Sequence, residues 1–262
     1  MSNAKNELAS VVRINGLMGR YVQFGLYFIY LLIFIGLWQM NIGTALRPFS
    51  EVFASFSDLF LKDLFMNHVI ESIELSLTAI GISMAITLVF SYLSTMPMFR
   101  PWSLIISKGR FLGVLGIYFI FIVAFGLGFP LKVALLTFGI TVFFLTSMYT
   151  VITEIPQSRF DYARSLGLSE IQVFWQVVIR GTADQMLESL RQNAAIGWMM
   201  IPAVETIVKT GGIGDILWDN IKHFDRGKAL AIMFVIIIIG IIQDILLKLT
   251  QRVVTPHVTV KK

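Results

Sequence analysis

From Phe234 to Ile242 every residue except Phe234 and Gly240 is β-branched and apolar, inside a stretch with no charge from Ala229 to Gln243. In water such a run would read as a strand. At the depth of a bilayer it has one option, because each backbone N–H and C=O must be satisfied within its own segment, and a helix does that. A hydrocarbon core of about 30 Å takes about 20 helical residues. Six stretches meet that need: about 22–41, 73–94, 104–125, 131–151, 191–208 and 229–248. The third and fourth are joined by the tight turn Gly126-Leu-Gly128-Phe-Pro130, and the fifth is the most polar, with Arg191, Gln192, Asn193 and Glu205 in it. Only 14% of the chain is charged, against about 25% in soluble domains, which fits an all-α, multi-pass membrane protein with six spans.

Charge placement orients the spans. Only Arg47, Lys62, Lys132, Lys209, Lys222, Arg226 and Lys228 fall in outer segments when the N-terminus is inside; the other fourteen of the 21 basic residues fall in inner ones. The positive-inside rule then puts both termini in the cytoplasm of a cell-membrane protein. The domains read as a cytoplasmic segment 1–21, a membrane domain 22–248 and a cytoplasmic tail 249–262. The net charge of +5 therefore reflects topology, with lipid as the surrounding partner and no nucleic acid. The first apolar run is too long for a signal-peptide core and reads as a retained span. Without cysteine there is no thiolate metal site or cysteine nucleophile, and His68, His223 and His257 are too scattered to pair as ligands, so no cofactor or metal is expected. Apolar residues recur with helical spacing in 50–65 and 213–221, as in short interfacial helices.

The segment of about 152–190 is polar and long for a connection between spans, and long connections are uncommon unless they work. Pro156 suits a helix start and Ser158 an N-cap. Gly167 breaks that helix, and Ser169 is placed to cap a second carrying Ile171, Phe174, Trp175 and Val178. Two short helices about a glycine form an elbow that could fit a groove on another protein. Phe174 and Trp175 are expected to pack the elbow onto the membrane domain.

Here the chain resembles the membrane subunits of bacterial ABC importers, whose cytoplasmic loop has the pattern E-A-A, three residues, Gly, nine residues, I-x-L-P. In that frame Asp161 stands for Glu, Tyr162 and Ala163 for the alanines, Gly167 for the glycine, Val177 for Ile and Ile179 for Leu, while Arg180 replaces the proline. The resemblance runs over roughly 45–256 and is closest to the nitrate/sulfonate/taurine branch. It rests on Arg47-Pro48-Phe-Ser-Glu51-Val52, His68 with Ser72, Phe125-Gly126-Leu-Gly128, Ala163-Arg-Ser-Leu-Gly167, Trp198 followed by Glu205, Gly211-Gly212-Ile-Gly214, and Gly240 with Asp244.

The resemblance implies a homodimer of six-span subunits around a solute path, two cytoplasmic ATP-binding subunits and an extracytoplasmic solute-binding protein. The chain itself would be no enzyme; it lacks a G-x-x-x-x-G-K-[ST] phosphate loop. Asp161, Ala163, Arg164, Gly167 and Leu168 would form the ATPase-coupling tip, and Asn193, Trp198, Glu205, Glu71 and Glu74 are candidates for the path. Glu205 either lines the path or pairs with a base such as Lys209; Asp244 is expected to pair with Lys248, and Gly81, Gly113, Gly116 and Gly139 to mark close helix packing. The solute class is a small anion, a sulfonate, or a vitamin- or pyrimidine-like compound. An ATP-independent channel or secondary transporter is the alternative; an intramembrane protease would need a nucleophile and base that the histidines do not supply.

Overall fold

The computed structural model describes residues 20–40, 47–60, 63–96 and 98–254; the expected N-terminal segment up to residue 19 and the tail from residue 255 lie outside them. Among the described residues there is no strand. The helices are α1 (Arg20–Met40), α2 (Phe49–Phe60), α3 (Asp63–Leu93), α4 (Arg100–Lys108), α5 (Gly113–Phe125), α6 (Phe129–Thr153), α7 (Gln157–Ser165), α8 (Glu170–Val173), α9 (Gly181–Val208), α10 (Ile213–Lys222) and α11 (Arg226–Val254). Phe174–Arg180 is wound as a π-helix between α8 and α9.

Contacts divide the chain into two units, Met1–Ala54 and Ser55–Lys262. In the first, α1 exposes apolar side chains over most of its length, as a lipid-facing helix does. Trp38 is its buried exception and donates its indole N–H to the Arg47 carbonyl at 3.0 Å.

In the second unit α6 is the central helix, packed by α3, α4, α5 and α9. Leu135, Leu136, Ile140, Phe144, Leu145 and Met148 are fully buried along it. The reason lies in its neighbours. Helix α3 buries the small polar side chains Ser72, Ser76, Ser83, Thr87 and Ser91 at intervals of four or seven residues. Small residues let helices approach closely, and hydroxyls can bond across, as Ser83 does to the Thr137 carbonyl at 3.1 Å. Across α9, a Cβ on Gly197 would stand 2.9 Å from Ile140 Cδ1, and one on Gly139 would meet the Met200 thioether at 2.9 Å. Gly139 is thus a packing point as expected. Gly81, Gly113 and Gly116 are not: a Cβ there meets nothing within 4 Å, and Gly113 (φ +61°) serves a break in the chain.

That break corrects the third expected span. Residues 104–125 do not form one helix; α4 ends at Lys108, Gly109–Phe111 makes a 3₁₀ turn, and α5 restarts at Gly113. A continuous apolar helix of 13 residues covers about 20 Å, short of a bilayer core. Four described helices are long and apolar enough to cross a membrane: Val22–Gln39, Phe65–Leu93, Phe129–Thr153 and Arg226–Val254. Helix α9 has the length, with 28 residues from Gly181, but carries the charges noted above and Pro202 in its interior. A proline there removes one backbone N–H from the ladder.

Candidate functional site

Two arrangements carry most of the residues singled out in the sequence: a polar knot where the 209–214 loop meets α3, α6 and α9, and the elbow between α6 and α9.

The knot starts from Lys132 in the first turn of α6, which is fully buried although it is a lysine. A buried ammonium persists only with partners that replace its hydration. Its Nζ donates to Glu71 Oε1 at 2.7 Å and to the Gly211 carbonyl at 2.8 Å. Glu205, also fully buried, accepts from the Ser72 hydroxyl at 2.6 Å and from the Gly214 N–H at 2.7 Å. Ser72 in turn accepts from the Ile213 N–H at 2.9 Å, and His68 Nδ1 accepts from the Gly212 N–H at 2.9 Å. Three successive loop amides therefore end on side chains of α3 and α9, which answers where the backbone of a buried loop finds its partners. Gly211 (φ +106°) and Gly212 (φ +95°) fit because they have no Cβ; one there would fall on the Glu71 and Glu205 carboxylates respectively.

Gly214 is held by contact rather than by φ. A Cβ there would stand 2.6 Å from Pro202 Cα and 2.7 Å from its carbonyl oxygen, both backbone atoms that cannot swing away. Gly214→Ala is accordingly expected to lower the melting temperature of the purified protein by several degrees. Gly81→Ala, placed in open space, is expected to leave it unchanged or raise it slightly. Equal behaviour of the two variants in a thermal melt would contradict this packing.

The path candidates therefore separate. Glu71 and Glu205 meet in the knot, while Glu74 is exposed. Glu205 turns its carboxylate to Ser72 and Gly214, and its backbone carbonyl accepts from the Lys209 N–H at 2.9 Å; the expected side-chain pairing with Lys209 is replaced by this helix-end bond. Trp198 donates its indole N–H to Gln243 Oε1, which also accepts from the Ser76 hydroxyl at 3.1 Å. Asn193 donates to the Ser189 carbonyl at 2.7 Å and keeps a buried Oδ1 without a partner among the described residues. Asp244 pairs with Arg191 at 2.7 Å rather than with Lys248, and Arg191 also holds Glu188 at 2.6 Å. The sequence reading did not single out Lys132. Its signal was present: it is the only charge between Phe129 and Thr153.

The elbow is built locally. Pro156, extended at φ −63° and ψ 136°, stands at the N-cap of α7 in place of the expected Ser158. Helix α7 stops because Gly167 takes φ +77°, a backbone state in which L side chains are strained; the space around it is open, so conformation and not crowding selects glycine. Ser169 caps α8 as expected, its N–H donating to Gln172 Oε1 at 2.9 Å. Across the bend Arg164 Nε donates to Glu170 Oε1 at 2.9 Å and Nη2 to Oε2 at 3.3 Å, with Asp161 at 3.7 Å. The hydrogen bonds and charge of Arg164 hold the exposed Glu170 carboxyl below its usual range. The pair therefore persists at neutral pH and is lost as pH falls through that lowered value. Ala163 is buried, and Leu168 donates its N–H to the Ala163 carbonyl at 3.4 Å, closing the bend. Phe174 packs edge-on to Tyr92 of α3 at 6.3 Å between centroids, whereas Trp175 is half exposed instead of packed. Tyr162, Leu166 and Ile171 are exposed as well, on an element outside the apolar helices.

The family model for "Binding-protein-dependent transport system inner membrane component" matches residues 44–260. The taurine transport system permease protein TauC of Escherichia coli (strain K12) is 30% identical over 135 residues, 52% of this chain and 49% of that protein. The nitrate import permease protein NrtB of Synechococcus elongatus (strain ATCC 33912 / PCC 7942 / FACHB-805) is 28% identical over 130 residues, 46% of this chain and 47% of that one. The chain spans about half the length of the curated relatives it matches. Among solved structures, a chain of the MetNI methionine ABC transporter in inward-facing conformations aligns with a TM-score of 0.62 at 15% identity, over 73% of this chain and 96% of that one, which shows a shared fold. The chain belongs to the family of binding-protein-dependent transport system inner membrane components, the permeases of ABC importers, in the branch that holds the taurine, nitrate and aliphatic-sulfonate permeases.

Proposed function

We propose that this chain is the membrane subunit of an ATP-driven importer and passes a small solute between two copies of itself. The relatives' names share a cargo with an anionic oxygen-bearing group (the sulfonate of taurine and of aliphatic sulfonates, nitrate, bicarbonate), and a small solute bearing such a group is the class proposed here. Both termini are cytoplasmic on this reading, all six expected spans cross with the third interrupted, and the elbow lies inside. Cytoplasmic ATP-binding subunits dock on the elbow, and an extracytoplasmic binding protein delivers solute to the 209–228 side. Hydrolysis takes place on the partner. ATPase closure moves the elbow as a rigid piece, and the access of the path switches because the two states differ in their ATPase contacts.

The observation that carries this reading is the elbow. Tyr162, Leu166, Ile171 and Trp175 are each exposed on it, and its bend is fixed by Gly167 and the Arg164–Glu170 pair. An apolar set on a rigid element outside the spans suits a protein groove. Asp161, Arg164 and Leu168 frame it. On the path side Asn193 and Trp198 are the proposed lining residues, with the Glu71–Lys132–Glu205 knot holding the outer loop and Glu74 facing the outer solvent. The test is a pull-down of tagged chain from native membranes. Co-purification of an ATP-binding subunit, with ATPase activity responding to solute-loaded binding protein, is expected. Solute uptake by reconstituted chain alone, with no ATPase retained, would instead identify a channel or secondary transporter.

A further inference from the structure

We propose that Tyr92 is a positioning residue for transport: it hands movement of the elbow to α3, and α3 carries that movement to the 209–214 loop. The inference rests on the proposed docking of ATP-binding subunits on the elbow and names the route inward from there. Both chain connections of the elbow are irregular. Its entry from α6 passes the extended Pro156, and its return into α9 is wound as a π-helix. Neither makes the elbow continuous with a regular helix of the membrane domain.

The side contact is Tyr92, at the inner end of α3. Its ring stands edge-on to Phe174 at 83°, and its hydroxyl bonds to the Thr182 side chain at the start of α9. Thr182 donates its own proton to the Val178 carbonyl at 2.7 Å, so its oxygen is left to accept from Tyr92. Tyr92 also packs on the buried core that contains Leu75, Ile140 and Phe144. Around this contact there is space. A cavity of about 490 Å³ is walled by Thr95 and Met96 beyond α3 and by Phe160, Arg164, Ile171 and Phe174 of the elbow. A push on the elbow is therefore not spread over a broad interface with α3; it is delivered at the Tyr92–Phe174 contact.

Helix α3 runs unbroken from Asp63 to Leu93, and Ser72 lies about 30 Å from Tyr92 along it. Its outer part carries His68, Glu71 and Ser72, which hold the Gly212 N–H, Lys132 and Glu205. Helix α10 packs on α3 as well. One rod thus has the elbow at one end and the knot at the other. Its contact with α6 permits a second register. Ser83 bonds the Thr137 carbonyl, while the hydroxyl of Thr87, one turn on, and those of Thr137 and Thr141 have no partner among the described residues. A shift of α3 by one turn would bring Thr87 to the place of Ser83 and draw Glu71 and Ser72 away from Lys132 and Glu205.

Hydrogen–deuterium exchange of the complex with its ATP-binding subunit reads both ends at once. The Gly212, Ile213 and Gly214 amides, bonded to side chains of α3 and α9, report the knot, and the amides of α7 and α8 report the elbow. In wild type, trapping with ATP and vanadate is expected to protect the elbow and to speed exchange in the loop. Tyr92→Ala is expected to keep the elbow's protection and lose most of the loop's response; Tyr92→Phe, which keeps the ring, should retain most of it. Phe174→Leu removes the same contact from the elbow side and decides the question where Tyr92→Ala fails to fold. A wild-type loop that exchanges alike with and without trapping would overturn the proposal. So would a full loop response in Tyr92→Ala and Phe174→Leu, with the π-helix and α9 then the route. Loss of the elbow's protection in these variants would also overturn it, since Tyr92 would then only shape the docking surface. Elbow protection in wild type tests the transport reading by itself, so failure of the loop response alone leaves that assignment standing.

Discussion

Lys132→Met is expected to destabilise the protein by about 3 kcal/mol, the largest loss from any single substitution considered. Lys132 has no exposed surface, and its Nζ holds Glu71 at 2.7 Å and the Gly211 carbonyl at 2.8 Å. Methionine keeps most of the volume but leaves a carboxylate and a buried carbonyl without a donor. Breaking a buried pair from one side costs about 3–5 kcal/mol. The Glu71 side chain is 29% exposed and regains some water, which places the expectation at the lower end. Lys132→Met/Glu71→Leu removes both charges and is expected to recover more than half the loss, since paired apolar replacement is often neutral. Thermal unfolding of the single and double variants in detergent separates these outcomes. Identical melting of wild type and Lys132→Met would mean that the knot does not hold the outer loop.

The four long apolar helices were legible because hydrocarbon leaves the backbone no alternative. Their limits were less so. Helix α3 begins at Asp63, ten residues before the expected 73, because Phe65 and Val69 are buried and extend the packed face outward. The third span failed for a different reason: an apolar count averages across Gly109 and Gly113 and cannot see a change of backbone state between them. The elbow was readable because its signals are local, a glycine and a serine two residues apart. The knot and the Arg191–Asp244 pair were not, because all but the Glu205–Gly214 bond join residues 53 to 144 positions apart. Lys248 is nearer to Asp244 in sequence, and proximity on one helix was the wrong guide. Resemblance marked His68, Ser72, Glu205 and the Gly211–Gly214 loop, but only the fold shows that these residues bond to one another.

Leu166→Arg/Ile171→Arg is expected to abolish coupling while leaving the membrane domain folded. Leu166 is 62% exposed and Ile171 81% exposed, so neither substitution opens a cavity, and a melt should stay within a few degrees of wild type. Their effect should fall on the partner. An apolar anchor in a protein groove contributes about 2 kcal/mol when it is a hot spot. Losing two therefore weakens ATPase binding by about a thousandfold. Solute-stimulated ATP hydrolysis in reconstituted vesicles should fall with it. Glu170→Gln is the informative companion, since it weakens the Arg164 clamp while leaving both anchors in place. If the clamp only stiffens the bend, Glu170→Gln should retain ATPase binding yet hydrolyse ATP with a weaker response to solute. Retained binding and normal stimulation in Leu166→Arg/Ile171→Arg would show that the partner grips another surface, and the exposed set on the elbow would then need a different occupant.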